Sequence, residues 1–217
     1  MIFDSVQFTR RSWITRNRIR SENEPWQYFG IPTLHAPQRA LINQIQLVRD
    51  LDWAGKMQKK LKNLYGHEPH FSKAMESIEP VWKNDQTNLA EALEMQLKTS
   101  ANFLGLSTNF KRSSDLDAGT SLKGEERILA LCKLLGATSY YNLPGGRALY
   151  SEATFNAARV NLRFIPPLAE TAIREVFPRY SSLSFFDLMC RCGSSEIHNM
   201  ISWIFENRVR LESSVQP

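Results

Sequence analysis

The second half of the chain alternates short apolar strands with helical segments, and this order constrains the fold more than any other feature. Candidate strands and helices follow one another at 108–111, 125–135, 139–143, 151–158 and 160–165. Gly136 directly follows one of the helices, at a position where glycine commonly ends a helix. Strands that are separated by helices favour parallel pairing. The sequence therefore predicts an α/β fold with a mixed, partly parallel sheet flanked by helices.

The rest of the chain is predicted to add three strands and several helices. The strands are predicted at 1–8, 26–31 and 42–48. A helix is predicted over 51–65, where apolar residues recur at a three-four spacing, and another over 71–82. Asn88 is a candidate N-cap for a further helix, which Gly105 ends. Near the end of the chain, a helix that begins at Ser184 is predicted to stop near Gly193, and a last helix follows it.

The composition is that of an ordinary globular protein. Hydrophobic residues make up 42% of the chain and charged residues 23%, which excludes a disordered chain, a collagen and a coiled coil. No repeat or flexible linker divides the sequence, so residues 1–210 are predicted to form a single domain with a flexible tail at 211–217. No apolar run approaches the roughly 18 residues of a membrane-spanning helix, and no signal peptide is visible. The three cysteines favour reduced thiols and a cytoplasmic location.

Positive charge is concentrated at the beginning of the chain. The net charge is +5 overall, and the first twenty residues, with five arginines and one aspartate, carry +4 of it. A basic cluster predicts an anionic partner, which can be nucleic acid, a phosphorylated small molecule or a membrane surface. The alternative is a solvated arginine face. Asp4, Gln7 and Trp13 stand beside the arginines, and such a mixture suits a polar anionic ligand better than a bare phosphate backbone.

Two loops follow predicted strands, at positions where α/β sheets bind ligands. Ser113 and Ser114 follow the strand at 108–111, and they either bind a substrate hydroxyl or phosphate or cap a turn. Gly145, Gly146 and Arg147 follow the strand at 139–143. Their backbone amides and guanidinium group suit a phosphate or carboxylate, although two glycines are also what a tight turn requires.

No nucleophile, metal or cofactor motif is visible. The chain has no G-x-S-x-G, no H-E-x-x-H, no deaminase zinc motif and no Walker loop. Cys190, Cys192 and His198 are too few ligands for a structural zinc, which usually has four. We therefore expect no cofactor and no metal.

The residues from Asp4 to Ile19 read DSVQFTRRSWITRNRI. This string resembles the D-x-V-Q-[FY]-x-[KR]-R-S-W-x-x-R-N-R-I signature of the WbqC-like family, bacterial proteins associated with surface-polysaccharide gene clusters. Segments at 104–116, 136–150 and 183–193 resemble later family motifs in the same order. Family members usually carry an H-Q-P segment upstream of the signature, and this chain does not show it. We therefore expect one flank of residues 1–8 to be an unprotected edge and the isolated chain to be poorly soluble.

The resemblance implies a cytoplasmic enzyme of O-antigen (lipopolysaccharide) biosynthesis, a transferase that attaches an acyl or amino-acyl group to a nucleotide-activated amino sugar. It implies Asp4 and Gln7 as catalytic residues, with Asp4 as a general base. The substrate-binding residues that it implies are Arg10, Arg11, Trp13, Arg16, Asn17, Arg18, Ser113, Ser114, Gly145, Gly146 and Arg147. One alternative is a non-catalytic binding or assembly subunit that acts with a biosynthetic partner protein. A further alternative is an anion-binding or nucleic-acid-binding protein, although nucleic acid is not the expected partner.

Overall fold

A computed structural model describes residues 1–48, 51–83, 87–116, 121–165 and 170–207. The chain divides into two compact units. The first unit comprises Met1–Ser114 and Arg174–Ile201, and the second comprises Asp115–Ile173 and Ser202–Pro217. The interpretation of residues 1–210 as a single domain stays a prediction. The tail at 211–217 lies outside the described residues.

The described helices and strands confirm the α/β class. In chain order they are β1 (Arg16–Ile19), β2 (Gln27–Gly30), α1 (Leu51–Tyr65), α2 (Phe71–Lys83), α3 (Leu89–Phe103), α4 (Gly124–Leu134), β3 (Ser139–Asn142), α5 (Glu152–Ala157), β4 (Asn161–Phe164), α6 (Glu170–Val176) and α7 (Phe185–Glu206). The described strands form two separate two-stranded sheets, one antiparallel and one parallel. No helix in the described ranges is long and apolar enough to cross a membrane.

The antiparallel sheet of the first unit is the hairpin of β1 and β2. Arg16 lies opposite Gly30 at the end of this ladder. A Cβ atom at Gly30 would lie 2.6 Å from the carbonyl oxygen of Thr15 and 3.0 Å from the Cβ atom of Arg16. Because real Cβ atoms do not approach other atoms so closely, glycine is required here. Ile19, at the other end of β1, is fully buried, and it anchors the hairpin to the core.

The first residues of the chain do not form the regular strand predicted over 1–8. Ile2 makes an isolated parallel bridge with Arg112, and Gln7 makes an isolated antiparallel bridge with Leu41. The strands predicted at 108–111 and 42–48 are likewise absent as regular strands. The physical reason is that the segment changes partner between residues 2 and 7, where Asp4 points its carboxylate inward. Such single bridges leave no continuous ladder for a strand.

A cluster of small and branched apolar side chains holds these segments together. It consists of Phe8, Ala36, Ala40, Ile42, Ile45, Leu47, Leu89, Ala90 and Ala92. The cluster joins residues 8–47 to the beginning of α3, and Asn88 caps that helix by accepting a hydrogen bond from the backbone N–H of Ala90 (2.9 Å). The predicted N-cap is therefore confirmed. The loops around the hairpin are fixed by this packing.

The second unit contains the parallel sheet. β3 and β4 pair in parallel, with Ser139 opposite Asn161, and α5 lies between them in the sequence. The predicted parallel pairing is thus confirmed. Ser151 caps α5 by accepting a hydrogen bond from the backbone N–H of Thr154 (3.4 Å). The rings of Tyr140 and Tyr150 pack against Phe155, which is fully buried.

The other predicted helices agree with the structure. The helix predicted over 51–65 matches α1 residue for residue. Gly136 follows the α4 helix with a φ of 61°, as expected for a glycine that ends a helix. α7 is kinked at Gly193, whose φ is 71° and ψ is 172°, so it consists of the two predicted helices joined end to end.

Candidate functional site

An open cleft of about 630 Å³ lies beside the hairpin in the first unit. Its lining includes the positively charged side chains of Arg10, Arg11 and Arg16, together with His35. The rings of Tyr28 and Trp53 also line it, and none of its described lining residues is acidic. Its volume lies within the usual range of small-molecule sites. The cleft is therefore suited to an anionic ligand that also carries a ring.

The turn before β1 places two of these arginines. The backbone of Arg11 has a φ of 56°. This left-handed conformation is one that residues other than glycine, asparagine and aspartate rarely adopt. The guanidinium group of Arg10 donates a hydrogen bond to the carbonyl oxygen of Ala36 (2.6 Å) and lies 3.4 Å from Nδ1 of His35. Arg10 thus fastens the turn to the loop that carries His35.

The two arginines of β1 lie against aromatic rings. Cζ of Arg16 lies 4.0 Å from the ring centroid of Tyr28, and Cζ of Arg18 lies 5.2 Å from both Trp13 and Trp26. Nε of Arg18 is buried without a hydrogen-bond partner, and Trp13 is 60% exposed. Within the described ranges, no carboxylate forms an ion pair with either arginine. Because rings orient a guanidinium group without neutralising it, both charges remain available to an anion.

Arg20, the next arginine on the chain, differs from Arg16 and Arg18 because an acidic side chain neutralises it. Its guanidinium group forms an ion pair with Glu68 (2.6 Å) and lies over the ring of Tyr65. These contacts give Arg20 a structural role. Neutralisation by an acid therefore distinguishes it from the arginines of the hairpin and cleft.

Asp4, Ser113 and Ser114 are brought together in one hydrogen-bond network, which the Ser5 hydroxyl joins at 2.8 Å from the Ser113 hydroxyl. The Asp4 carboxylate is buried, and it accepts hydrogen bonds from the Ser113 hydroxyl (3.0 Å), the Ser114 backbone N–H (2.9 Å) and the Ser114 hydroxyl (2.5 Å). Burial by itself raises the pKa of Asp4, but the bonds from Ser114 and Ser113 outweigh it, and the net pKa is lowered. A general base works best with a pKa near the operating pH. The network therefore favours a structural role for all three residues.

Gln7 and Asn17 lie at the margin of the site. Gln7 is exposed, and its amide donates a hydrogen bond to the carbonyl oxygen of Gln38 (3.3 Å). It lines a neighbouring cleft of about 450 Å³ with Arg10 and His35. Asn17 points to the opposite face of β1 from Arg16, because side chains alternate along a strand. Gln7 can thus contact a ligand that extends beyond the main cleft.

Gly145, Gly146 and Arg147 belong to the second unit and form part of a tight 3-10 turn, Pro144–Leu149. The backbone N–H of Gly146 donates to the carbonyl oxygen of Leu143 (3.0 Å), and a Cβ atom there would lie 2.8 Å from the Asn142 amide nitrogen. Cζ of Arg147 lies 4.8 Å from the ring centroid of Phe164. These contacts favour the tight-turn interpretation of the two glycines.

Comparison with known proteins identifies the family. The profile of the WbqC-like protein family matches residues 1–199. The chain belongs to the WbqC-like protein family. The uncharacterized protein Rv1507c of Mycobacterium tuberculosis (strain ATCC 25618 / H37Rv) is 24% identical over 196 residues, which cover 89% of this chain and 84% of that protein. No solved structure matches.

The cleft of this WbqC-like protein also contains ring-bearing side chains that were not among the predicted site residues. His35, Tyr28 and Trp53 line it, and no catalytic or binding motif singles out any of them. His35 is recognisable only through its contact with Arg10, 25 residues earlier in the chain. A tertiary contact of this kind leaves no local pattern in a single sequence.

The described residues contain neither a metal-binding cluster nor an activated thiol. No group of three or more histidine, cysteine, aspartate or glutamate side chains in the described ranges could hold a metal ion. Cys132, Cys190 and Cys192 are buried, and burial raises the pKa of Cys192 to about 11. Because the thiolate is the nucleophilic form, these cysteines are poor candidates for covalent catalysis.

Proposed function

We propose that this WbqC-like protein binds a nucleotide-activated amino sugar in the 630 Å³ cleft and transfers an acyl or amino-acyl group to the sugar's amine. The observation that carries the proposal is a cleft with three arginines and no acidic side chain among its described lining residues. A diphosphate needs such neutralising donors, and guanidinium groups bind phosphate through paired hydrogen bonds. The family resemblance supplies the setting, which is the biosynthesis of surface polysaccharide (O-antigen) precursors in the cytoplasm.

The rings of the cleft suit the remainder of such a ligand. Tyr28 and Trp53 offer flat apolar surfaces to a nucleobase or a sugar ring. The stacking of Arg16 on Tyr28 limits the rotamers of Arg16 before any ligand arrives. Because less side-chain entropy is then lost on binding, this arginine is a strong candidate for a phosphate contact.

The contact between Arg10 and His35 supports a role for the histidine in this transfer. Arginine carries only donors, so Nδ1 of His35 accepts from Arg10, and in the neutral ring Nε2 carries the proton. His35 is then a hydrogen-bond donor, suited to the oxyanion that develops on the acyl carbonyl oxygen. With a thioester as acyl donor, the amine nitrogen bonds to the carbonyl carbon and the carbon–sulfur bond breaks. The amine loses its proton to solvent, and the sulfur leaves as a thiolate.

Calorimetric titration with uridine diphosphate glucosamine tests the site. Arg11 lies in the cleft and makes no hydrogen bond in the described ranges, so Arg11→Ala should remove charge without disturbing packing. We expect the dissociation constant of the Arg11→Ala variant for uridine diphosphate glucosamine to rise about tenfold, since a charge-assisted hydrogen bond is lost. Arg39→Ala is the matched control, because Arg39 is exposed and lies outside the lining. Equal affinity of wild type and Arg11→Ala would contradict the proposal.

A turnover assay separates the enzyme from the alternatives. The protein is incubated with uridine diphosphate glucosamine and an acyl-coenzyme A thioester, and the N-acylated product is measured by mass spectrometry. We expect His35→Gln to lower kcat by about 10²-fold, the usual effect of removing an oxyanion donor, with little change in affinity. Binding without turnover would favour the assembly subunit. Affinity for RNA or DNA oligonucleotides that falls steeply with salt would favour nucleic-acid binding.

A further inference from the structure

The face of the hairpin that lines the cleft also carries a group of exposed aromatic rings. Side chains alternate along each strand, and residues paired across an antiparallel ladder lie on the same face. Arg16 and Arg18 therefore share one face with Tyr28, which lies opposite Arg18. Because Arg16 and Tyr28 also line the cleft, this face and the cleft have two side chains in common.

Two tryptophans extend the face beyond the cleft. The ring centroid of Tyr28 lies 5.0 Å from that of Trp26 and 6.4 Å from that of Trp13. Cζ of Arg18 lies 5.2 Å from each indole ring. All three rings are exposed, and we call Trp13, Arg18, Trp26 and Tyr28 the aromatic platform. Since contiguous exposed apolar surface marks interaction sites, whereas scattered single side chains do not, the platform indicates a binding surface.

Tyr28 connects the platform to the arginines of the cleft. Cζ of Arg16 lies 4.0 Å from the ring centroid of Tyr28, and the same ring contacts both tryptophans. One tyrosine ring therefore separates the guanidinium group of Arg16 from the indole rings. In a nucleotide, only the ribose separates the base from its phosphates. A phosphate bound by Arg16 thus places the base within reach of the platform.

The proposed chemistry leaves the base to this side of the cleft. The acyl transfer takes place at His35, which lies 3.4 Å from Arg10, so the sugar amine lies there. The diphosphate then lies along the arginines that line the cleft. The base follows the diphosphate, beyond Arg16 and against the rings that adjoin it.

We infer that the aromatic platform binds the nucleobase of the nucleotide sugar by stacking, with the guanidinium group of Arg18 beside the phosphate nearest the base. The inference rests on the proposed function. Every base has a flat face that stacks on aromatic side chains. The four residues of β1 span about 13 Å, whereas single-stranded nucleic acid occupies about four or more nucleotides on its binding proteins. The platform therefore suits a single nucleotide.

A comparison of uridine diphosphate with methyl diphosphate isolates the base, because both are diphosphate esters and only the first carries a nucleoside. Their dissociation constants are measured by calorimetry with wild type, Trp13→Ala and Trp26→Ala. We expect Trp13→Ala to raise the dissociation constant for uridine diphosphate about tenfold, since the stacking of one base is lost. The constant for methyl diphosphate should change by less than about twofold. Trp26→Ala should act in the same direction, and it replaces Trp13→Ala if that variant fails to fold.

Two further variants separate stacking from a general effect of altering an exposed ring. Trp13→Phe keeps an aromatic face, so it should weaken the binding of uridine diphosphate by no more than about threefold. Tyr141→Ala is the matched control, because Tyr141 is 61% exposed, compared with 60% for Trp13, and belongs to the second unit. This control should leave both dissociation constants unchanged. Thermal denaturation checks that each variant is folded.

The outcomes separate this inference from the function on which it rests. Failure of uridine diphosphate glucosamine to bind wild type would overturn both. If it binds, equal affinity of wild type and both tryptophan variants for uridine diphosphate would overturn the platform alone. Equal losses for uridine diphosphate and methyl diphosphate would also overturn it, since the tryptophans would then serve only to orient the arginines. Binding of an oligouridylate of about eight nucleotides at least tenfold more tightly than uridine diphosphate would assign the platform to single-stranded nucleic acid instead.

Discussion

The arginine-rich hairpin of the first unit and the Gly-Gly-Arg turn of the second both hold an arginine against an aromatic ring. They differ in the surroundings of that arginine. Each places an arginine over a ring, Arg16 over Tyr28 at 4.0 Å and Arg147 over Phe164 at 4.8 Å. The hairpin leaves its guanidinium groups beside a cleft without acidic lining residues among those described. In the turn, the amide of Gly146 is already bonded within the turn itself. The two regions therefore differ in whether the arginine lines a cleft, and a basic motif indicates a site where its guanidinium groups face such a space.

The largest effect on the free energy of unfolding is expected from removing the Asp4 carboxylate of the first unit. Asp4→Ala leaves the hydroxyls of Ser113 and Ser114 without their buried acceptor, so we expect a loss of about 3 kcal/mol of unfolding free energy. Urea denaturation measures it. The matched change in the second unit is Ser151→Ala, which removes an N-cap worth about 1 kcal/mol. If Ser151→Ala proved the more damaging, the first region would not depend on Asp4.

The same carboxylate makes the first region sensitive to acid. Because the pKa of Asp4 is lowered in the folded protein, its stabilising effect is present above the unfolded pKa of about 3.9 and is lost as the pH falls through the folded value. The stability gap between wild type and Asp4→Asn should therefore be constant near neutral pH and narrow below about pH 4. Denaturation curves across this range measure the gap, and a gap that widened in acid would contradict the assignment.

In the second region, the glycine pair offers an internal comparison. A Cβ atom at Gly146 would lie 2.8 Å from the Asn142 amide nitrogen, whereas a Cβ atom at Gly145 meets nothing within 4 Å. We expect Gly146→Ala to lower the unfolding free energy by about 2 kcal/mol and Gly145→Ala to change it by less than about 0.5 kcal/mol. Thermal denaturation of the two variants checks this. Equal effects would mean that packing does not explain the second glycine.

Binding tests the comparison most directly. Arg16→Ala and Arg147→Ala each remove an arginine that lies over a ring, but only Arg16 lines the cleft. We expect the dissociation constant for uridine diphosphate glucosamine to rise about tenfold, or 1.4 kcal/mol, in Arg16→Ala. Arg147→Ala should change it less than about twofold. A comparable loss in both variants would break the comparison and assign the turn to the binding site.

The smallest effect is expected at Arg11, where stability and binding should change in opposite directions. Its φ of 56° suits glycine, so Arg11→Gly relieves strain and should raise the unfolding free energy by about 0.5 kcal/mol. The same variant should bind uridine diphosphate glucosamine more weakly. Arg39→Gly serves as the control, and it should be neutral or destabilising. A loss of stability in Arg11→Gly would show that the turn needs this side chain.

Helices could be predicted from the sequence because their signals are local. The apolar spacing of α1, the cap at Asn88 and the glycine at 136 each act within about one helical turn, and the structure confirms all three. The strands predicted at 1–8 and 108–111 were wrong for the opposite reason. Their partners are chosen by contacts between residues about 35 to 110 positions apart, which no local alternation specifies.

The candidate site divides in the same way. The arginines at 10–18 form a contiguous string, so both their charge and their family resemblance are visible in the sequence. The pairing of Asp4 with Ser113 and Ser114 is not visible in the sequence, which predicts only that these serines either bind a substrate or cap a turn. His35 lines the cleft only because a distant arginine holds its loop, and the sequence contains no pattern for that contact.

The bonds between Asp4 and residues 113 and 114 also bear on how the chain is made. Asp4 leaves the ribosome well before its hydroxyl and amide partners, which are added about 110 positions later. At about 5–20 residues per second, the interval is about 5–20 s. During it the arginine-rich segment lacks the hydrogen bonds that residues 113 and 114 later donate to Asp4.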